Sequence, residues 1–193
     1  MLVYADRVVL VVADGAGGSG RGAHAADVLL NLLRERSDAG TLDVVDALRD
    51  CDLALARESM GGESTAVVAV VDERGIMGAS VGDSAAWLVE PTGHIDLTQH
   101  QVRKPLIGSG QAVPVPFGCG PLRATLLLGT DGLFKYGNSA QLRQIAAALD
   151  IEAIAERLVG SVRLRSGALQ DDTTVVLCRR SIELIDEPST AHG

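Results

Sequence analysis

Four short turns carry the residues best able to do chemistry. Ala13-Asp14-Gly15, Gly82-Asp83-Ser84 and Thr130-Asp131-Gly132 each set an aspartate among small residues at a strand boundary. A fourth, Asp171-Asp172, comes just before the last apolar run. Singly, each is ordinary turn chemistry, because Asp and Gly both favour tight turns. Together they suggest more. The strands they flank are apolar throughout, hence central and buried, and central strands end close together in space. Two carboxylates at ~4 Å repel by about 4 kcal/mol even at an effective dielectric of 20. A fold that gathers several gains by binding a cation among them. An all-oxygen donor set suits Mg²⁺ or Mn²⁺ rather than zinc.

One competing motif overlaps the first turn. Gly15-Ala16-Gly17-Gly18-Ser19-Gly20 satisfies G-x-G-x-x-G between a strand and a helix, the dinucleotide fingerprint. Asp14 would then set a carboxylate beside the pyrophosphate. Glu35 and Asp38 lie near the distance of a ribose-binding acid, but no strand leads to them. The downstream Asp turns also remain unexplained, and the metal reading is preferred.

The elements that must position these turns are legible from patterning. Val8 to Ala13 is an unbroken aliphatic run of strand length. Helices are predicted over Ala23–Glu35 and Leu42–Arg57. Short strands follow at Thr65–Val71, Ile76–Val81 and Ala85–Val89, spaced as an antiparallel meander. Gln99 to Pro121 is rich in Gly and Pro and reads as irregular loop. A strand at Ala124–Leu128, helices at Ala140–Leu149 and Ile151–Leu158, and a strand at Thr173–Cys178 complete the series. Regular βαβ alternation is missing, so the fold class is α+β. Residues 1–185 read as one domain and residues 186–193 as a polar tail.

Composition narrows the function classes. The chain has 193 residues, with 17 Lys and Arg against 25 Asp and Glu for a net charge of −8. An acidic chain with no basic run is a poor match for nucleic acid or anionic membrane. No apolar run approaches the ~20 residues of a membrane span, and no basic segment precedes the first one as in a signal peptide. A cytoplasmic protein is expected. Cys51, Cys119 and Cys178 fit neither a zinc spacing nor a disulfide framework and read as small hydrophobes. The four histidines, His24, His94, His100 and His192, have no ligand spacing and read as surface residues.

The ordered set of motifs resembles the metal-dependent protein phosphatases of the protein phosphatase 2C family. The matching segments are V-V-A-D-G-A-G-G at Val11–Gly18, G-G-E-S-T-A-V-V at Gly61–Val68 and V-G-D-S-A-A-W at Val81–Trp87. L-L-L-G-T-D-G-L-F at Leu126–Phe134 and Q-D-D-T-T-V-V at Gln170–Val176 complete them. The resemblance implies a four-layer αββα sandwich, two mainly antiparallel sheets flanked by helix pairs, with metals in a cleft at one end. It implies hydrolysis of phosphoserine or phosphothreonine in proteins, with two Mn²⁺ or Mg²⁺ ions activating a water. Asp14 takes the place of the carboxylate shared by both metals, and Gly15 that of a backbone carbonyl ligand. Asp131 and Asp171 match the remaining carboxylate ligands. Asp172 stands where the family usually has Asn and is expected behind the ligands. Asp83 resembles a residue that helps hold a third metal in some members.

Three departures qualify the match. The family's opening strand carries an Arg that grips phosphate, whereas about seven residues precede Val8, and Asp6 and Arg7 sit too close to Asp14 to replace it. They read as solvated charges at a strand start. Ala16 stands where many eukaryotic members have His in the glycine loop. Lys135 stands where an acid usually supports the third metal; it reads either as a solvated helix-start lysine or as an ammonium that replaces that cation, pairing with Asp83 or meeting substrate phosphate. Arg21, behind the glycine loop at a helix start, is a second phosphate candidate. The expected partners are a phosphorylated protein and the kinase that phosphorylates it. The alternative reading is a weakly active or inactive phosphatase-like domain with a regulatory binding role.

Overall fold

Strands that lack polar alternation need cover on both faces. The protein supplies it with four layers. The structure, a computed structural model, describes residues 1–17, 20–58, 61–90, 92–148 and 150–180. Its first sheet is antiparallel and runs in the order β1 (Leu2–Val3), β2 (Arg7–Val12), β5 (Ala66–Asp72), β6 (Ile76–Val81), β9 (Val115–Cys119). The second, also antiparallel, runs β11 (Val175–Cys178), β10 (Thr125–Gly129), β7 (Ala85–Glu90), β8 (Gly93–Asp96). Helices α1 (Arg21–Asp38) and α2 (Val44–Arg57) cover the first sheet. Helices α4 (Ser139–Ala146) and α5 (Ile151–Ser161) cover the second. A two-strand ribbon of β3 (Gly15–Ala16) and β4 (Glu63–Ser64), and the single-turn α3 (Asp131–Phe134), lie at the site.

Alternation along each strand sorts the apolar side chains into three interior layers. Val9, Val11 and Val68 meet Leu29, Leu33, Leu48 and Leu55 under the first helix pair. Their neighbours Leu10, Val12, Val67 and Ala69 meet Ala86, Leu88, Leu126 and Leu128 between the sheets. Trp87, Val89 and Leu127 pack under Leu142, Ile145, Ile154 and Leu158. Burying each large aliphatic side chain contributes about 1.5–3 kcal/mol, which is how a core nearly free of aromatics holds. The expected αββα sandwich is therefore present.

The structure corrects several details. The predicted irregular segment Gln99–Pro121 contains β9, an edge strand whose Val115 to Cys119 register against Ser80 to Ile76. Pro116 is tolerated there because an edge strand leaves alternate amides without a partner. Strands β1 and β8 were not expected either. His94 is not a solvated turn residue: its ring lies 4.0 Å from that of Trp87, half-buried in β8. Cys51 is buried as expected, and desolvation pushes its thiol up to about 12, while Cys119 and Cys178 are half-buried. Gly18 and Ser19 of the glycine loop, Leu149 and the tail predicted at 186–193 lie outside the described residues. Among the described residues no helix is long and apolar enough to cross a membrane.

Candidate functional site

Asp14 follows β2 and is fixed through its backbone. Its N–H donates to Thr65 Oγ1 at 3.2 Å, while its carbonyl accepts from Thr65 N at 2.8 Å and from the Ser64 hydroxyl at 3.1 Å. Thr65 Oγ1 shares a further hydrogen bond of 2.7 Å with the buried Ser84 hydroxyl. The turn holding Asp14 is thereby tied to the turn holding Asp83. Gly15 lies so close to Gly22 that a Cβ on it would sit 2.2 Å from the Gly22 carbonyl oxygen. That contact draws the N-terminus of α1 against the Asp14 turn. The cap of α1 is Gly20, with no side-chain hydrogen bond, and its first turn contains no acid.

The second half of the site is joined through Thr130. Its hydroxyl donates to the Asp172 carbonyl at 3.0 Å and accepts from Thr174 N at 3.1 Å. A Cβ on Gly132 would meet the same Asp172 carbonyl at 2.4 Å. Asp131, which opens α3, and the 171–172 turn are thus held side by side. Asp171 Oδ1 accepts from Asp172 N at 3.0 Å.

Electrostatics show that the four turns share one region. The Asp14 carboxyl is pushed up to about 6, first by burial and then by the fields of Asp131, Asp171, Asp172 and Asp83. Asp131 is raised as well, by burial and then by Asp83 and Asp171, while Lys135 and the Gly132 amide oppose the shift. Among the described residues, however, no three His, Cys, Asp or Glu side chains stand close enough to form a ready metal cage. The donor chemistry fits Mg²⁺ or Mn²⁺: hard oxygens with mutual repulsion that a divalent cation relieves. The spacing is that of a cluster sharing a field.

Two basic side chains rest on its rim. Lys135 Nζ lies 3.9 Å from Asp131 Oδ2, one helical turn away. Its pKa is raised, by the Tyr136 hydroxyl first and then by the fields of Asp131 and Asp171. The expected pairing of Lys135 with Asp83 is not formed. Asp83 instead accepts from Arg103 Nη2 at 3.1 Å, because the 99–105 segment runs directly over the Gly82 turn, whose N–H donates to the Val102 carbonyl at 3.1 Å. Arg21 is the exposed first residue of α1, its carbonyl packed against Gly62.

Asp6 and Arg7 lie at the other end of β2, about 20 Å from Asp14 at ~3.3 Å per residue. Arg7 is less solvated than expected. Its Nη2 donates to the Ser37 carbonyl at 2.9 Å and its guanidinium lies 4.8 Å from the Tyr4 ring centroid. A cleft of about 710 Å³ lined by Arg7, Asp72 and Met77 is at that far end and contains none of the five clustered aspartates.

Sequence reasoning missed four supporting residues. Thr65, Ser84 and Thr130 stand inside the motif segments, where hydroxyls beside the aspartates were the available signal. The fourth is Asp52, buried in α2, whose carboxylate accepts from Gly108 N at 2.8 Å and from Gly110 N and Ala112 N at 2.9 Å. Its signal was a lone acid on the apolar face formed by Leu48, Cys51 and Leu55. This clamp holds Ile107, which bridges to Ser64 and so to the Asp14 carbonyl.

Comparison with known proteins agrees with this architecture. No protein of curated function matches the sequence at a significant level. A bacterial serine phosphatase superposes with a TM-score of 0.77 at 21% identity, covering 90% of this chain and 87% of that one. The serine/threonine phosphatase Stp1 from Staphylococcus aureus gives 0.76 at 22% identity, covering 90% and 84%. RsbX in complex with magnesium gives 0.72 at 19% identity, covering 92% and 83%. These likenesses establish the fold, that of the protein phosphatase 2C type. The profile of the stage II sporulation protein E (SpoIIE) family matches residues 4–181, nearly the whole chain, and the protein belongs to that family.

Proposed function

We propose that the protein is a metal-dependent phosphatase acting on phosphoserine or phosphothreonine in proteins, in the cytoplasm and opposite a kinase. The observation that carries this reading is the convergence of aspartates from four turns, which raises Asp14 to about 6. Asp14, Asp131 and Asp171 are the carboxylates that would hold two Mn²⁺ or Mg²⁺ ions, with the Gly15 carbonyl as a further ligand. When bound, such ions lower the pKa of an attacking water and neutralise phosphoryl oxygens. The chain's own residues do the rest. Thr65, Ser84 and Thr130 hold the carboxylate-bearing turns in register. Lys135 presents an ammonium to the incoming phosphoryl group, and Arg21 sits at a helix N-terminus, where anions are stabilised. Asp172 adds negative field behind the ligands. Asp83, which would help hold a third ion, is already engaged by the Arg103 guanidinium.

A second reading, a phosphatase-like domain that recognises rather than hydrolyses, is favoured by one observation. Lys135 and Arg103 already neutralise two of the clustered carboxylates in part. Phosphate release from a phosphothreonine peptide separates the two readings, measured with Mn²⁺ and with EDTA for wild type and Asp131→Ala. Mn²⁺-dependent turnover that the substitution abolishes supports hydrolysis. Metal binding by calorimetry without turnover supports the recognition role.

A further inference from the structure

We propose that Arg103 is a phosphate-binding residue of this site, supplying the guanidinium that the Arg7 end of the molecule cannot deliver. The inference rests on the phosphatase reading. A phosphoryl dianion entering an acidic cluster needs fixed cations on its path, and the described rim offers two ion-paired ones. Lys135 lies over Asp131, and Arg103 over Asp83. Their side chains are 54% and 74% exposed, so both retain donors facing solvent.

Arg103 is the better suited in chemistry. A guanidinium presents five donors in a planar fork that matches phosphate oxygens, whereas an ammonium acts as a point charge. The bond to Asp83 uses one Nη2 donor and orients the plane, leaving the rest of the fork for the ligand. The backbone supports this placement. The neighbouring Val102 carbonyl accepts from Gly82 N, fixing the segment to the turn that carries Asp83. Ser84 in that turn is bonded to Thr65, and Thr65 to Asp14, so Arg103 is coupled to the centre of the cluster by a short chain of hydrogen bonds. Arg7, by contrast, is committed to Ser37 and Tyr4 at the far end of β2.

The test is calorimetric titration of Mn²⁺-loaded protein with inorganic phosphate, alongside steady-state hydrolysis of a phosphothreonine peptide. Arg103→Ala is expected to weaken phosphate binding and raise KM about tenfold, with kcat and Mn²⁺ affinity changed less than threefold. Arg103→Lys keeps the charge but loses the fork, and is expected to recover only part of the loss. Lys104→Ala removes an adjacent loop charge and should leave phosphate affinity within twofold. Equal phosphate affinity in wild type and Arg103→Ala overturns the proposal, as does an equal loss in Lys104→Ala, which would mean a general field. Wild type that binds no phosphate overturns it too. Phosphate binding that depends on Arg103 in a protein without turnover would uphold this inference and refute the phosphatase reading.

Discussion

The two ends of β2 handle charge in opposite ways. At its start Arg7 finds Asp6, the Ser37 carbonyl and the Tyr4 ring, and Tyr4 in turn bonds Asp38 at 2.6 Å. Asp6, Arg7 and Asp38 there each have an opposite or polar partner. At its end Asp14 faces Asp131, Asp171, Asp172 and Asp83, and its carboxyl is raised by their fields on top of burial. A single strand thus joins a satisfied end to a strained one. Strain of this kind costs stability and persists where the site binds something that relieves it. The arginine end explains itself as structure, whereas the aspartate end carries a repulsion that a bound cation would relieve, which is the basis of the proposed metal site.

The largest effect that would break this contrast comes from Asp131→Ala. Turnover should fall by more than about 100-fold, beyond the loss typical of groups that merely support metal ligands. Phosphate release in Mn²⁺ measures it. Next is Thr65→Val, which removes the hydroxyl joining Asp14 N to Ser84. Activity should drop roughly tenfold or more through misplacement of the turn. Stability should fall by about 1–3 kcal/mol in urea denaturation, because the buried Ser84 hydroxyl loses its partner.

A third prediction concerns pH. The folded-state pKa of Asp14 is raised, so its protonated form stabilises the fold fully below about pH 4, and that contribution is lost as pH rises through about 6. In EDTA at pH 7, Asp14→Asn should therefore be more stable than wild type. The gain is on the order of 1 kcal/mol once solvent screening of this half-buried group is allowed for, and it should vanish near pH 4. The smallest catalytic effect belongs to the satisfied end. Arg7→Ala should cost about 1 kcal/mol of stability and change turnover less than twofold, read from denaturation and peptide hydrolysis.

Much of this was legible in the sequence because burial on two faces leaves a plain mark. Val8 to Ala13 and Leu126 to Leu128 could only be central strands, and aspartates at their ends had to approach one another. The strand β9 was hidden because Pro116 and Gly118 carry loop signals that an edge position tolerates. Arg103 was hidden for a related reason: a Gly- and Pro-rich segment gives no periodicity from which to say what it crosses. The expected Lys135–Asp83 pair failed on helix geometry, since position i+4 on α3 returns Lys135 to Asp131 before Asp83. Asp52 passed unnoticed because a solitary acid on a helix reads as surface until three backbone amides are seen to converge on it.

The central claim is that Asp14 sits in a carboxylate cluster strained until a divalent cation binds. Carbon-detected NMR titration of the Asp14 carboxyl, with EDTA and with saturating Mg²⁺, tests it most directly. The account predicts a midpoint near about 6 without metal, and with Mg²⁺ a carboxylate that stays ionised to well below pH 4. A midpoint near the ordinary aspartate value of about 3.9 in both conditions would contradict it.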